Sequence, residues 1–509
     1  MKKIYSLLMA LVLTIAAGAQ TLNVKTGSVT YQFPASQTGE MTYADGQTLT
    51  IMGKTFTLSD IDAMTVDNSE VKANQVTVSY DGTSATITVA GNVAQYVSPS
   101  VSGAHVTIAQ TNTDAVDDDE ITYVLSGSTS DGEFTLSGSY KCTLSLAGLT
   151  LTNPSGAAIN ITNGKRIQIS AKKNTENTLT DGANGSQKAC LYSKGQIQLQ
   201  GNGILNVVGN TKHAIKSGDY MTVKNLTLNI TSAVGDGINC NEYFQMMSGT
   251  VHIKGVGDEG IQCDLDGTAS TGQTTDHEDE DSGNIYIEGG TLIVSNTNGE
   301  GIESEGELII TGGEVTVNAK DDALNAASDL TISGGSVYAR STGNDGIDAN
   351  GNCYIKGGVI FAVGSGNPEM AIDANSEEQK KLYVTGGVLF TIGGLESGAS
   401  LTQACYSASS WTKDKWYSMT IGNDTYAFKT PSSGGSTLVV SGSSQPTVKS
   451  GVTVSDGTTI LNGNAYINAS VSNGTNVTLS SYTPSQGGPG GGGGPGGGGP
   501  GGGGGPGGW

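Results

Sequence analysis

A short repeat constrains this chain more than any other feature of its sequence. From Ala157 onward it occurs in nine copies, and the steps between their starts are 32, 24, 23, 23, 41, 22, 23 and 25 residues. The clearest copies are Asp236-Gly237-Ile238-Asn239-Cys240, Glu259-Gly260-Ile261-Gln262-Cys263, Glu300-Gly301-Ile302-Glu303-Ser304, Asp322-Ala323-Leu324-Asn325-Ala326 and Asp345-Gly346-Ile347-Asp348-Ala349. A period of this size predicts stacked units that cannot bury their apolar faces alone.

A second signature lies between the copies. It reads apolar-x-apolar, then Gly-Gly, then another alternating run, as in residues 308–317 and 330–338. Period-two alternation predicts strands with one buried face. The Gly pair allows positive φ at a sharp corner. The predicted fold class is therefore all-β, a right-handed parallel β-helix, with its handedness taken from the general right-handedness of parallel crossovers.

The repeats divide the chain into five segments. The predicted boundaries are 1–19 for a signal peptide, 20–120 for N-terminal β units and an acidic linker, 121–394 for the parallel β-helix repeats, 395–483 for a C-terminal β region and 484–509 for a disordered Gly/Pro tail. Lys2 and Lys3 precede an apolar run and Ala17-Gly18-Ala19, which predicts export and a secreted or cell-surface location. No later run is long and apolar enough to predict a transmembrane span.

The charge balance is strongly acidic. The 509 residues contain 25 Lys and Arg against 47 Asp and Glu, for a net charge of −22. This balance argues against nucleic acid as a partner and favours cations, or substrates bridged by cations. Six cysteines in an exported chain permit disulfides, but Cys240 and Cys263 share one repeat position on neighbouring coils. That placement favours free, stacked, inward-pointing thiols.

Stacking places each repeat position in one column. Alternation puts the repeat Ile or Leu inside and the next residue outside, whereas the first position lies at a turn and its direction is not determined. The predicted inward residues are Ile238, Ile261, Ile302, Leu324, Ile347 and Ile372, and the predicted outward residues are Asn239, Gln262, Glu303, Asn325, Asp348 and Asp373.

The acidic positions of these columns predict a Ca²⁺ site. Two carboxylates one coil apart repel by roughly 3 to 4 kcal/mol at an effective dielectric near 20. Ca²⁺ takes six to eight oxygens from carboxylates, amides and carbonyls. The predicted ligands are Asp236, Asp258, Glu259, Glu300, Glu303, Asp321, Asp322, Asp345 and Asp348. The alternative is a solvated acidic face, and the acidic insertion at residues 276–281 is a weaker candidate for metal.

Four aromatic residues are candidates for saccharide binding. Trp411, Trp416 and Tyr417 form the densest aromatic cluster, which fits either a sugar platform or a cap over the open core end. Tyr338 is a repeat tyrosine that fits either sugar stacking or an ordinary sheet position.

No catalytic residue is predicted, because the acids are too numerous for one pair to stand out. A lyase would need a base, for which Arg340 is the first candidate and Lys320 and Lys356 are the others. Lone basic residues on an acidic surface, however, are mostly salt-bridge partners.

The repeats resemble a known family. Asp-Gly-Ile-x-Cys or Ala with x-Gly-Gly turns is similar to secreted carbohydrate-binding β-helix proteins related in fold to pectate lyases, over about residues 121–430. The resemblance implies that fold, bound Ca²⁺, and binding of cellulose and acidic plant polysaccharides such as the pectin component polygalacturonate. It carries over the acidic first positions Asp236, Glu259, Glu300, Asp322 and Asp345. Met370 departs from the acid, so we expect the Ca²⁺ ladder to end before that coil.

Together these features predict a secreted, Ca²⁺-binding protein that binds plant-type polysaccharide without cleaving it. Two alternatives stay open. One is a polysaccharide lyase acting on uronic-acid polymers, and the other is a structural surface adhesin in which the repeats form only a stiff stalk.

Overall fold

The computed structural model describes residues 21–38, 41–267 and 280–484. The predicted signal peptide lies outside the described residues, as do the tail after Pro484 and residues 268–279 of the acidic insertion. The described residues form strands, turns and short 3-10 helices, so the predicted all-β class is confirmed. Within these ranges, no helix has the length and apolar character needed to cross a membrane.

Most strands belong to three stacks, in which each strand pairs in parallel with its equivalent in the next repeat. The first stack carries the Asp-Gly-Ile pattern. Its parallel strands are Ala104–Gln110, Gly132–Ser137, Ile159–Ile161, Ala189–Ser193, His213–Ser217, Ile238–Asn241, Ile261–Asp264, Ile302–Ser304, Leu324–Ala326 and Ile347–Ala349. Val97–Ser102 adds an antiparallel strand at one edge, and single parallel bridges through Ile372 and Leu395 continue the other edge.

The second and third stacks carry the runs on either side of the Gly-Gly corners. The second stack contains Ile121–Thr129, Cys142–Asn153, Ile167–Ala171, Ile197–Gly201, Met221–Lys224, Tyr243–Met246, Asn284–Ile287, Leu308–Ile310, Leu330–Ile332, Cys353–Ile355, Leu382–Val384 and Ser400–Leu401. The third contains Glu176–Asp181, Ile204–Gly209, Thr227–Ala233, Thr250–Val256, Thr291–Thr297, Glu314–Ala319, Ser336–Ser341, Val359–Val363 and Val388–Ile392. The long strand Cys142–Asn153 pairs with both Ile167–Ala171 and Glu176–Asp181, and so contributes to both stacks.

One repeat visits the stacks in turn. The chain passes from Ile302–Ser304 through Leu308–Ile310 and Glu314–Ala319 before returning to the first stack at Leu324–Ala326. The Gly-Gly corner joins the second and third strands. Gly335 has a φ of +77°, and a Cβ there would lie 2.7 Å from the carbonyl oxygen of Gly313. Only glycine fits both the backbone conformation and the close stacking of corners. These long parallel sheets are consistent with a β-helix-like solenoid.

The inward column is confirmed. All six predicted apolar residues are fully buried, and the register aligns Ile238 with Ile261, then Ile302, Leu324 and Ile347. All six cysteines of the chain are free and buried, which confirms the expectation of unpaired thiols. The core of the stacks is therefore a set of apolar ladders. Their residues stay apolar from coil to coil, whatever side chains lie on the outer face.

Most of the N-terminal strands are joined to the stacks by backbone pairing, whereas Thr42–Ala44, Thr48–Ile51 and Lys54–Thr57 pair only with one another in a separate small sheet. The N-terminal strands are Thr21–Thr26, Val29–Pro34, Thr42–Ala44, Thr48–Ile51, Lys54–Thr57, Ala63–Asp67, Gln75–Asp81 and Ser84–Ala90. Gln75–Asp81 pairs in parallel with Ile121–Thr129, and Ala104–Gln110 pairs in parallel with Gly132–Ser137. Parallel pairing thus involves residues that precede the predicted start of the repeats at residue 121.

The C-terminal strands fold against the third stack. They are Cys405–Ala408, Trp416–Ile421, Asp424–Lys429, Leu438–Ser441, Thr447–Ile460, Ala465–Asn476 and Ser480–Ser481. Four of them, Trp416–Ile421, Asp424–Lys429, Ala465–Asn476 and Thr447–Ile460, close into a small barrel. Leu438–Ser441 pairs antiparallel with Val388–Ile392. The 3-10 helices are Ala35–Gln37, Leu58–Asp60, Ala94–Tyr96, Ser376–Glu378 and Leu461–Gly463.

Candidate functional site

The outer face of the first stack carries a polar column. The register aligns Asn239 with Gln262, and then with Glu303, Asn325 and Asp348. The sequence left the direction of the first repeat position undetermined, and the structure resolves it. Asp236, Glu259, Asp322 and Asp345 are buried, and Glu300 is half-buried. The turn residues therefore bring a second line of carboxylates beside the polar column.

The two lines of carboxylates meet in four clusters. In each cluster, the side chains offer ligand atoms within 4.8 Å of one another. The clusters are Asp236 with Asp258 and Glu259, Glu259 with Glu300 and Glu303, Glu300 with Asp321 and Asp322, and Asp345 with Asp348 and Asp373. All nine residues that the sequence singled out as metal ligands belong to these clusters. Three clusters share members, so they form a continuous acidic ladder along one face.

The carboxylate clusters continue to the coil of Met370, where Asp373 lies with Asp345 and Asp348. The expectation that the Ca²⁺ ladder ends before that coil stays a prediction. Ile372 points inward, so alternation places its neighbour Asp373 on the outer face. Met370 at the first repeat position gave no sign that this coil contributes a carboxylate.

Amides connect the carboxylates at the start of the ladder. The His213 ring lies 3.1 Å from the Asp236 carboxylate, and the Asn239 amide donates to Asp236 at 2.7 Å. The same amide nitrogen of Asn239 donates to the Gln262 side-chain oxygen at 2.8 Å, and Gln262 donates to Glu303 at 3.1 Å. Although burial opposes ionisation, the hydrogen bond and the charge of His213 lower the pKa of Asp236. At this end of the ladder, Asp236 is therefore already partnered by His213 and Asn239.

The middle of the ladder is held by Asn344 and by backbone donors. The Asn344 amide donates to Asp321 at 2.8 Å and to Asp322 at 3.1 Å. The backbone N–H of Asp345 donates to Asp322 at 2.7 Å, and the N–H of Met370 donates to Asp345. These contacts fix the carboxylates in place but supply no positive charge.

Burial and mutual repulsion keep several of these carboxyls protonated at neutral pH. Burial, together with Asp348 and Asp345, raises the pKa of Asp322 to about 9. Burial also raises the pKa of Asp345 to about 8, and burial with Glu300 raises that of Glu303 to about 7. Carboxyls this close either hold protons or share a cation.

The donor set fits a hard divalent cation. Each cluster supplies three carboxyl groups, which is the ligand type that Ca²⁺ prefers. Two side-chain oxygens on this face, Asn325 Oδ1 and Asp373 Oδ1, are buried without a hydrogen-bond partner. Buried polar atoms are almost always satisfied, and these oxygens can accept either a hydrogen bond from a protonated carboxyl or a cation.

A protein-family model matches the chain at residues 102–299 and 281–470, and it describes a carbohydrate-binding domain-containing protein. The two matches span residues 102–470, more than half of the 509 residues. They include all four acidic clusters. The chain belongs to this carbohydrate-binding family.

Two similar proteins accompany the family match. A carbohydrate-binding domain-containing protein of Acetivibrio thermocellus is 27% identical over 111 residues, which are 20% of this chain and 39% of that protein. The chain thus covers well under half of that relative's length. A solved structure, described as that of the polysaccharide lyase-like protein from C. thermocellum as a gadolinium derivative, aligns at 20% identity with a TM-score of 0.36. It covers 56% of this chain and 93% of that chain, and a TM-score this low does not establish a shared fold.

For this member of the carbohydrate-binding family, the prediction that Tyr338 and Tyr417 bind saccharide must be corrected. Tyr338 is 3% exposed and Tyr417 is 2% exposed, so neither offers a ring face to a sugar. Both pack in an apolar cluster between the third stack and the barrel, around Phe361, Phe390 and Phe428. These rings therefore lie on the outer side of the third stack, whereas the predicted cap would have covered the open end of the core. The reason is that the barrel, which the repeat pattern does not predict, covers this part of the third stack.

The two tryptophans are half-buried at the same junction. The Trp411 indole N–H donates to the Gly435 carbonyl at 2.6 Å, and Trp416 packs edge-on against Tyr466 at 5.2 Å. Arg340, the first candidate base of a lyase, lies on a third-stack strand and donates to Ser433 at 3.1 Å. The strand of Arg340 belongs to the third stack, whereas the acidic clusters lie along the first stack.

Proposed function

We propose that this chain is a secreted, non-catalytic, Ca²⁺-binding protein that recognises plant-type polysaccharide. One observation carries the proposal. In a chain of a carbohydrate-binding family, all nine predicted ligands gather in four carboxylate clusters on one continuous face. We further propose that the three stacks form a right-handed parallel β-helix, whose outer face presents this ladder to a linear polymer.

The proposed role of Ca²⁺ follows from the charge of the ladder. Asp236, Glu259, Glu300, Asp322 and Asp345, with their cluster partners, would hold the ions. A bound ion supplies positive charge that neutralises the clustered carboxylates and can also bind oxygens of a sugar. The Asn and Gln side chains between the acids supply neutral oxygens and hold the carboxylates in register.

Acidic polymers are the substrate class that this arrangement favours. A surface with a net charge of −22 repels uronic acids unless cations lie between the two. Ca²⁺ on the ladder removes that repulsion and bridges carboxylates of both partners. Polygalacturonate, the backbone of pectin, is therefore the first polymer to test. Cellulose is the neutral comparison, because it needs no bridging cation.

The test is binding of the full chain to polygalacturonate and to cellulose, in Ca²⁺ and in chelator. We expect polygalacturonate to bind in Ca²⁺ and to be released by chelator, without a soluble ultraviolet-absorbing product. The double variant Asp322→Asn with Asp345→Asn should weaken polymer binding about tenfold in Ca²⁺. It replaces two carboxylate ligands with neutral amides and changes no residue of the apolar core.

A matched control removes the same charge elsewhere. Asp45 and Asp118 are exposed and have φ values of +54° and +63°, a conformation that Asn tolerates well. Asp45→Asn with Asp118→Asn should bind like the parent. An unsaturated product would replace the proposal with a lyase. Absence of binding to both polymers in both buffers would leave the repeats as an adhesin stalk.

A further inference from the structure

A cavity opens on the first stack two coils before the acidic ladder. Its volume is about 350 Å³, and its lining includes Glu133, Asn160, Gln187, Lys188 and Tyr192. The register aligns Asn160 with Tyr192, and Tyr192 with Lys216, which in turn aligns with Asn239. The cavity thus lies on the same outward column as the ladder, but its side chains have different chemistry.

An aromatic ring and a cation lie together in the lining. The Lys188 ammonium lies 5.5 Å from the centroid of the Tyr192 ring. Lys188 is exposed and Tyr192 is half-buried, so both are accessible from the cavity. An aromatic face with a few convergent polar groups is a typical environment for a small polar ligand.

Hydrogen-bonding groups complete the lining. The amide nitrogen of Gln187 donates to Asp181 at 2.7 Å, Gly182 O at 2.9 Å and Thr211 at 2.8 Å, which holds this side chain in place. Its oxygen, Gln187 Oε1, is buried without a partner. The Glu133 carboxylate accepts from Asn153 at 3.2 Å and retains acceptor capacity. The cavity therefore offers acceptors for hydroxyl groups and one ammonium for an anion.

The surrounding coils reverse the charge of the chain. Residues 160–230 contain nine Lys and Arg and three Asp and Glu, in a molecule whose net charge is −22. Among the residues that line the cavity, Lys188 is the one cation and Glu133 the one anion, so a ligand carboxylate is attracted to the side of the cavity that carries Lys188.

We propose that this cavity is a subsite for one uronic-acid residue of a polysaccharide, in direct contact with the protein and without a bridging metal. The sugar ring contacts Tyr192, its hydroxyls donate to Glu133 and Asn160, and its carboxylate pairs with Lys188. Longer polymers continue along the outward column to the first acidic cluster, two coils or roughly 10 Å further on. This inference rests on the proposed function, because it assigns the direct saccharide contact of the same binding face.

The test is calorimetry of the full chain with trigalacturonate in chelator at low salt, with cellotriose as the neutral comparison. Trigalacturonate should bind without Ca²⁺ and more tightly than cellotriose. Tyr192→Ala should weaken binding about tenfold. Lys188→Met should weaken it about threefold, and should remove the preference for the acidic sugar and the salt dependence.

The chain contains a matched control. Lys356 lies 4.7 Å over the Tyr354 ring, on the second stack and outside the lining of this cavity, with the same exposure classes as Lys188 and Tyr192. Tyr354→Ala and Lys356→Met should bind trigalacturonate like the parent. Equal losses in both pairs, or no trimer binding at millimolar concentration, would overturn the subsite.

The two proposals fail in different ways. Ca²⁺-dependent binding of polygalacturonate that survives Tyr192→Ala and Lys188→Met would overturn the subsite and keep the proposed function. Trimer binding in chelator, with no effect of Ca²⁺ on the polymer, would keep the subsite and overturn the role proposed for the ladder.

Discussion

Residues 160–230 and residues 231–400 have the same strand arrangement but opposite charge. The first region contains nine Lys and Arg against three Asp and Glu, and the second contains six against 27. The inward column is continuous across both regions, from Leu191 through Ile215 and Ile238 to Leu324. The outward column changes from Tyr192 and Lys216 to Glu303 and Asp348 over the same register.

The comparison shows that core and surface chemistry are separable in this architecture. Alternate residues of a strand point to opposite faces, so outward positions change without altering the apolar ladder. Where the regions meet, the two charge types interact. The Lys216 ammonium donates to Asn239 and to Asn241, and it lies 3.9 Å from Asp264. That junction places one ammonium next to the first cluster, through Asn239 and Asp264, whereas no ion pair to the later clusters is seen in the described residues.

The largest expected effect tests whether the cores are equivalent. Leu191→Ala in the basic region and Leu324→Ala in the acidic region remove the same side chain from one fully buried column. Each should lower the free energy of unfolding by about 2–5 kcal/mol, since both leave a cavity among packed neighbours. Urea unfolding in Ca²⁺ measures both. Losses that differ by more than about 2 kcal/mol would show that the outer charge does affect the core.

An intermediate effect separates the regions by pH. Without Ca²⁺, folded Asp322 and Asp345 have pKa values of about 9 and about 8, against about 4 for unfolded Asp. Between about pH 4 and these folded-state pKa values, the folded state therefore holds more protons than the unfolded state. The free energy of unfolding falls as the pH rises through this range. The melting temperature in chelator should fall by about 5 °C between pH 5.5 and pH 8.5.

Calcium and substitution sharpen that test. Saturating Ca²⁺ should remove the fall, because ligation favours the ionised carboxylates. The variant Asp322→Asn with Asp345→Asn should show a flatter pH profile in chelator. A pH profile that is the same with and without these two acids would show that they do not titrate as buried neighbours. Hydrogen exchange should locate the change in residues 300–373 and not in residues 160–230.

The smallest expected effect concerns the junction. Lys216→Met leaves the Asn239 and Asn241 side-chain oxygens without their donor and should cost about 1–2 kcal/mol. Lys216→Arg keeps the charge and should cost less. Thermal melts of the two variants give the difference. If Met and Arg have equal stability, the junction depends on the aliphatic stem of Lys216 and not on its ammonium.

Sequence reasoning predicted the repeating parts of this protein well. The inward Ile and Leu ladder, the buried free thiols of Cys240 and Cys263 and the outward positions of Glu303 and Asp348 follow from period-two alternation repeated at a fixed register. Alternation is a property of neighbouring residues, so the sequence of a single strand is enough to predict which side chains point inward. The calcium, the secretion and the identity of the polysaccharide stay predictions.

Other features depended on contacts between segments that share no pattern. The sequence alone determined that this chain stacks strands around an apolar ladder and lines one outer face with carboxylates, because strand alternation and repeat spacing are properties of neighbouring residues. The tertiary structure decided that turn residues such as Asp322 point into the clusters, that Asp373 joins them and that the barrel buries Tyr338 and Tyr417. It also decided that Lys188 meets Tyr192 beside a cavity. The direction of a turn side chain and the surface that a non-repeating segment covers are set by packing between distant residues, which no local period encodes.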